Sequence, residues 1–152
     1  MKMKRGLALG VIAIALLVGT MTTTLGAEDK RAIKLPGTEG FPFSDGFLVG
    51  NTLYIAGQEG TDDKGKLLAG GIGPETQAAL ARIERVLKTA GLELKDVVSV
   101  TVYLADIKEF QDMNQVYRSV MPDPKPARAT IQAVALVNSA RIEVSAIAVR
   151  QK

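Results

Sequence analysis

Residues 74–104, PETQAALARIERVLKTAGLELKDVVSVTVYL, contain the change of periodicity that decides the fold. Apolar residues recur at helical spacing from Leu80 up to Gly91, a residue suited to a left-handed C-cap, so the first half predicts a helix. After Asp96, apolar and polar residues alternate as far as Leu104, which is typical of a strand with one apolar face. A helix followed directly by such a strand predicts a sheet that is covered by helices.

The segments on either side of this stretch complete the order of elements. Two short apolar runs at 46–49 and 52–56 predict a β-hairpin, and Asp106 begins a capping box that opens a second helix. Closely spaced prolines then force an extended loop before two final strands, near 127–134 and 141–150. The order ββαβαββ predicts an α+β fold, a single sheet with both helices packed on one face.

The final predicted strand indicates how this fold associates. Ile142 and Val144 point to one face of the strand, together with two alanines, whereas Ile147 and Val149 point to the other face. Two helices cannot cover both faces of one sheet, and an uncovered apolar face is typical of an association surface. The pattern therefore predicts a homo-oligomer.

Residues 1–27 are interpreted as a signal peptide. A basic start precedes an uncharged apolar run, and small residues follow, with cleavage expected after Gly26 or Ala27. The alternative is an uncleaved N-terminal anchor, because apolar runs of this length are ambiguous. We expect an exported protein, periplasmic or secreted, in which residues 28–40 form an irregular lead-in and residues 41–152 form one domain.

Charge and composition exclude several classes of function. The whole chain has 19 Lys and Arg against 16 Asp and Glu, and loss of Lys2, Lys4 and Arg5 with the signal peptide leaves 16 (19 less 3) against 16. A mature chain without net charge argues against nucleic acid as a partner, and no membrane contact is expected after cleavage. The sequence has no histidine and no cysteine, which removes disulfides, Ser-His and Cys-His nucleophiles and the commonest metal ligands. Any chemistry must use carboxylates, arginine, hydroxyls and backbone groups, and neither a metal nor an organic cofactor is expected.

Arg128 and Glu143 are the candidate reaction centre, because each places a charge within an otherwise apolar strand. Such charges are costly unless they are paired or used. A guanidinium group matches a substrate carboxylate, and a nearby glutamate can hold or polarise a water molecule. The residues alone leave two interpretations open, a reaction centre and an ion pair that only orders an oligomer interface.

Several motifs between residues 41 and 150 resemble the Rid family of reactive intermediate deaminases, also called YjgF-type or RidA-like proteins. The motifs occur in the family's order, and the region that they span covers nearly all of the mature chain. The motifs are LYIAGQ at 53–58, DVV at 96–98 leading into TVYLAD at 101–106, MNQVY at 113–117, PAR at 126–128, and IE at 142–143 in the closing strand.

The resemblance implies a chorismate-mutase-like fold, with 41–152 as the Rid-type domain, in a homotrimer with three clefts between subunits. It also implies a 2-iminobutanoate/2-iminopropanoate deaminase-like hydrolase, which converts reactive 2-imino or enamine acids to 2-oxo acids and ammonia without a cofactor. Arg128 matches the arginine that binds the substrate carboxylate, and Glu143 matches the glutamate that positions the attacking water. Backbone groups near Gly57 and Thr130 are expected to complete the cleft.

Some cleft positions depart from the family's pattern. Phe43 stands where the family has tyrosine and Ala56 where it has serine, so two hydroxyls are missing, and Ser145 and Gln132 replace frequent glutamates. Asn114 matches a family asparagine, and for it both a cleft role and a solvent-facing role remain open. The alternative function is a non-catalytic trimeric module that binds small carboxylates such as 2-oxo acids. Ribonuclease activity, attributed to some relatives, is disfavoured by the absence of histidine and by the lack of net positive charge in the predicted mature chain.

Overall fold

A computed structural model describes residues 29–151, so the predicted signal peptide at 1–27 lies outside the described residues. The described chain folds into one sheet with two α-helices. The strands are β1 (Lys30–Ile33), β2 (Gly46–Val49), β3 (Thr52–Glu59), β4 (Val97–Leu104), β5 (Ala127–Gln132) and β6 (Ile142–Val149), and the helices are α1 (Ile72–Ala90) and α2 (Phe110–Val120).

The strands lie in the order β1-β2-β3-β6-β4-β5. β4 and β5 run parallel, and every other neighbouring pair is antiparallel. The C-terminal strand β6 therefore lies inside the sheet, between β3 and β4, whereas β5 forms an edge. The predicted α+β fold with a single sheet is confirmed.

β1 corrects the prediction of an irregular lead-in over residues 28–40. Lys30 lies opposite Val49 and Ile33 lies opposite Gly46 in an antiparallel ladder with β2. Within β1 only Ile33 is buried, so the alternation that marks a half-buried strand is missing from the sequence. The prediction is wrong at these four residues because this edge strand is held by backbone hydrogen bonds. Such bonds are not indicated by the pattern of side chains.

Both helices lie on the same side of the sheet. α1 packs on β3 and β6 and against α2, and its apolar stripe is fully buried. Gly91 ends α1 in the predicted left-handed conformation, with φ of 75°, and its N–H donates to the carbonyls of Leu87 and Lys88. α2 contributes Met113 and Tyr117 to the core. None of the helices between residues 29 and 151 is long and apolar enough to cross a membrane.

The other side of the sheet, which we call the open face, carries no α-helix among residues 29–151. Phe47, Tyr54 and Ile131 lie on it and are 41%, 51% and 49% exposed, whereas Val102 and Val144, on the helix side of the sheet, are buried. Large apolar side chains left exposed together on one face are typical of an association surface. The observation agrees with the reasoning that predicted a homo-oligomer, and the oligomeric state itself stays a prediction.

Candidate active site

A β-bulge in β3 creates space for the carboxylate of Glu143. The ladder between β3 and β6 shifts between Ile55 and Gln58, so Ala56 and Gly57 together lie opposite one residue of β6, Ser145. A Cβ atom at Gly57 would lie 1.8 Å from Oε1 of Glu143. Glycine at 57 therefore leaves room for the carboxylate, which occupies the place that a side chain would take.

Phe43 belongs to a loop that is tied to the same bulge. The backbone N–H of Ala56 donates to the carbonyl of Asp45 at 2.9 Å, which joins the loop to β3. The Lys34 ammonium donates to the carbonyl of Phe43 at 2.7 Å and to that of Phe41 at 3.0 Å. The Phe43 ring is about half exposed and lies against the Phe41 ring, with centroids 5.4 Å apart. We call Phe43, Ala56, Gly57 and Glu143 the bulge half-site.

The electrostatic environment of Glu143 favours its protonated form. Burial raises the pKa of the Glu143 carboxyl above its ordinary value, and the negative charge of Glu59 on β3 raises it further. A carboxylate with a raised pKa is a stronger base, which suits a group that takes a proton from water.

Arg128 lies at the opposite side of the sheet against α2. Its Nη2 donates to Oδ1 of Asn114 at 2.6 Å, and its Cζ lies 4.3 Å from the centroid of the Tyr117 ring and 5.7 Å from that of Phe110. Cation–π contact with two rings and a charge-assisted hydrogen bond hold the guanidinium in one orientation. Asn114 therefore orients Arg128 instead of facing solvent alone, and its role in the cleft stays a prediction.

Two buried hydroxyls lie near Arg128 without hydrogen-bond partners among the described residues, Thr130 Oγ1 and Tyr117 Oη. Thr130 lies two residues along β5 from Arg128 and shares its face. Burial raises the pKa of the Tyr117 phenol, and the positive charge of Arg128 partly opposes that shift. A buried hydroxyl without a partner costs about 1–3 kcal/mol, so these groups are available to a polar ligand. We call Arg128, Asn114, Tyr117 and Thr130 the arginine half-site.

Within one chain the two half-sites do not meet. Arg128 lies beside Val100 on the helix side of the sheet, whereas Glu143 lies beside Tyr103 on the open face. β4 separates their strands, so the two backbones are about 10 Å apart across the sheet. The expectation that Glu143 lies near Arg128 is therefore wrong within a single chain, because alternation places them on opposite faces.

Sequence reasoning missed several residues of the site. Tyr117 was identified only as part of the MNQVY motif at 113–117, although its ring also stacks on Arg128. Glu59 and Lys34 carried no local pattern, because their roles depend on strand register and on loop closure. Ser145 lies opposite the bulge. Gln132 lies away from both half-sites' charged groups, and its Oε1 accepts a hydrogen bond from the backbone N–H of Ile107 at 3.2 Å.

Comparison with known proteins places this arrangement in a family. The family model described as endoribonuclease L-PSP matches residues 36–150. The chain belongs to this family. It is 42% identical over 118 residues to the human 2-iminobutanoate/2-iminopropanoate deaminase. The aligned region covers 77% of this chain and 85% of the human protein. Membership of the Rid family, predicted from the five motifs, is confirmed.

Solved structures of family members have the same fold. A Thermotoga maritima protein superposes with a TM-score of 0.71 at 35% identity, covering 80% of this chain and 93% of that protein. RidA from the Antarctic bacterium Psychrobacter superposes with a TM-score of 0.69 at 32% identity, covering 78% and 94%. The fold of the family is thus established for this chain.

Proposed function

We propose that this protein hydrolyses reactive 2-imino and enamine acids to 2-oxo acids and ammonia. The observation that carries the proposal is a pair of complementary half-sites on one chain. One presents an oriented guanidinium group that suits a carboxylate, and the other presents a glutamate with a raised pKa beside an open backbone bulge. The printed name of the human relative, 2-iminobutanoate/2-iminopropanoate deaminase, supports the same chemistry.

The complete site requires two copies of the chain. Arg128 lies on the edge strand β5, and Glu143 lies on the open face, so the arginine half-site of one copy can approach the bulge half-site of the next. Such a head-to-tail contact closes into a ring when the rotation between copies allows it. We propose a homotrimer with three sites between subunits.

The reaction follows from the groups in the two half-sites. Arg128 binds the substrate carboxylate through its planar fork, and Thr130 offers a hydroxyl beside it. Glu143 takes a proton from a water molecule, whose oxygen forms a bond to C2 while the C=N electron pair moves to nitrogen. Glu143 gives this proton to the nitrogen, which completes the carbinolamine. The hydroxyl proton then passes to the nitrogen as the C–N bond breaks, and ammonia and the 2-oxo acid leave. Because such imines also hydrolyse in water, positioning supplies much of the acceleration.

Export is a second part of the proposal. The basic, apolar and small-residue order of residues 1–27 supports cleavage after Gly26 or Ala27 and a periplasmic or secreted protein. An exported deaminase would act on imines that arise outside the cytoplasm.

A carboxylate-binding module without turnover is the second candidate. Phe43 and Ala56 carry no hydroxyl, so the bulge half-site offers fewer donors to a polar intermediate. Ribonuclease activity is disfavoured, because the sequence has no histidine and its positive net charge lies in the predicted signal peptide.

Complementation between two inactive variants tests the shared site. We expect Arg128→Ala and Glu143→Gln each to lose most ammonia release from freshly generated 2-imino acids. When the two variants are unfolded together and refolded as a mixture, about one quarter of the sites should combine an intact arginine half-site with an intact bulge half-site. Recovery of about a quarter of the wild-type rate is expected.

Three outcomes distinguish the candidates. No recovery in the mixture, with each variant folded, would place the site within one chain and contradict the shared site. Binding of a 2-oxo acid by the wild type without ammonia release would favour the module. If light scattering shows that the Arg128→Ala variant dissociates into monomers, Arg128 is an interface residue. Arg118→Ala, an exposed residue of α2, is the matched control.

A further inference from the structure

Glu75, in the first turn of α1, is a buried residue that belongs to neither half-site. Its side chain is only 7% exposed, and burying a charge is costly unless the charge is paired and hydrogen-bonded. Its one salt-bridge partner among residues 29–151 is Arg141, whose Nε lies 3.9 Å from Oε1 of Glu75. The other oxygen, Oε2, accepts the backbone N–H of Arg141 at 2.8 Å. Both carboxylate oxygens are thus directed at the residue that precedes β6.

These contacts fix the chain two residues before Glu143. Glu75 holds the N–H of Arg141, while the carbonyl of Arg141 accepts the N–H of Ala105 at 2.9 Å. Ala105 directly follows β4, so this second bond extends the ladder between β4 and β6. The start of β6 is therefore held by the sheet on one side and by α1 on the other.

The end of β3 lies against the same residue of α1. Gly60 follows the last residue of β3, and a Cβ atom there would lie 2.5 Å from both Cα and the carbonyl oxygen of Glu75. The absence of a side chain at Gly60 permits this close approach. Glu75 therefore contacts the end of β3 as well as the start of β6, the two strands that surround the Glu143 carboxylate.

The bulge weakens this end of the ladder between β3 and β6. The register shifts between Ile55 and Gln58, and a bulge disrupts the ladder locally. Between the bulge and the end of β3, two register pairs remain, Gln58 with Val144 and Glu59 with Glu143. So short a ladder holds the two strands weakly, and the contacts with α1 supply a further constraint at the row that contains Glu143.

We propose that Glu75 is a positioning residue for the deamination, which holds Glu143 in its place over the bulge. The inference rests on the proposed function and adds to it a residue that does not contact the substrate. Glu75 acts through the backbone of Arg141, because its carboxylate keeps the start of β6 at a fixed distance from the end of β3. The Glu143 carboxylate then stays in the space that Gly57 leaves open.

Three substitutions of Glu75 separate its hydrogen bond from its charge. Glu75→Gln removes the charge but keeps an oxygen that can accept the Arg141 N–H. Glu75→Ala removes both, and so does Glu75→Met, which fills most of the same space and keeps the test valid if the alanine variant does not fold. We expect the alanine and methionine variants to lose about 100-fold in kcat for ammonia release, because a displacement of ~1 Å has that effect, with KM changed less than about threefold. The glutamine variant should keep kcat within about threefold of the wild type.

An NMR titration of the Glu143 carboxyl carbon follows its position without turnover. Burial raises the pKa of this carboxyl, so a carboxyl that leaves its place over the bulge should titrate at lower pH. We expect that shift in Glu75→Ala and Glu75→Met and not in Glu75→Gln, which loses the same negative charge and so controls for its electrostatic effect. Glu84→Ala, also on α1, removes an ion pair with Lys88 and is the matched control, which should leave both readouts unchanged.

The outcomes separate this inference from the proposed function. Wild-type kcat in the alanine and methionine variants would overturn the positioning role. A loss of kcat with an unchanged Glu143 titration would also overturn it, since the carboxylate would not have moved. A glutamine variant as slow as the other two would show that the charge matters and that the hydrogen bond does not position Glu143. A wild type that releases no ammonia would overturn the proposed function, and the titration would still decide whether Glu75 holds the carboxylate.

Discussion

Substitution of Gly57 by alanine probes the position of the Glu143 carboxylate. The added Cβ would lie 1.8 Å from Oε1, whereas an ordinary van der Waals contact begins at 3.4 Å. The carboxylate must therefore move by about 1.6 Å, the difference between these two distances. It can move, because it is the end of a flexible side chain, and Gly57 does not have a left-handed φ that would strain alanine.

The expected effect on activity is larger than the effect on stability. Displacing a catalytic group by ~1 Å costs about 100-fold in rate, or about 2.7 kcal/mol of transition-state stabilisation. Forcing Glu143 off its rotamer costs ~0.5–1.5 kcal/mol, and alanine recovers ~0.4–1 kcal/mol by restricting the unfolded chain. We therefore expect a free energy of unfolding within about 1 kcal/mol of the wild type and kcat reduced about 100-fold.

Ammonia release and urea denaturation of the same preparation measure the two quantities. Gly40→Ala is the matched control, because a Cβ there meets no atom within 4 Å and Gly40 has no left-handed φ. A Gly57→Ala variant with wild-type kcat would refute the reasoning, since it would mean that the carboxylate does not work from its place over the bulge. A loss of several kcal/mol of stability would show instead that the bulge cannot adapt.

Three further predictions address other parts of the chain. Asn114→Ala should weaken binding of a 2-oxo acid about 5- to 30-fold, by isothermal titration, because Arg128 loses the hydrogen bond that orients it; unchanged affinity would show that the aromatic rings suffice. Burial raises the pKa of Glu143 above 4.5, so its contribution to stability is full below pH 4.5 and is lost as pH rises through the folded pKa. In denaturant titrations, the stability of Glu143→Gln relative to the wild type should therefore increase between about pH 4 and pH 7. A difference in stability that stays constant with pH would contradict the shift. Intact-mass analysis of the exported protein should give a chain that begins at Ala27 or Glu28, and a mass that includes the first 26 residues would contradict cleavage.

The fold was predictable from periodicity because each long element has one buried face. The helix that ends at Gly91 and the strand that ends at Leu104 were both identified from the spacing of apolar residues. β1 escaped prediction, since only Ile33 of its residues is buried. Its pairing with β2 is a contact between backbones, which side-chain patterns do not report.

The two charged residues of the candidate site were identifiable from the sequence, and their relative geometry was not. Charges within apolar strands identified Arg128 and Glu143, because burying an unused charge is costly. That they lie on opposite faces depends on the register of β4 against both β5 and β6, which strand patterns alone leave open. The same register brings Glu59 beside Glu143, and no spacing within the sequence predicted that contact.

The central place of β6 has a consequence for how the chain is made. β6 lies between β3 and β4 and pairs with both, and it is synthesised after them. Until β6 is made, the edges of β3 and β4 that it will cover are unpaired. The sheet closes only when residues 142–149 emerge from the ribosome, and these contacts join segments that are far apart in sequence, which slows folding. Deleting the last ten residues would split the sheet in its middle instead of trimming an end, so a short C-terminal truncation should leave an insoluble product.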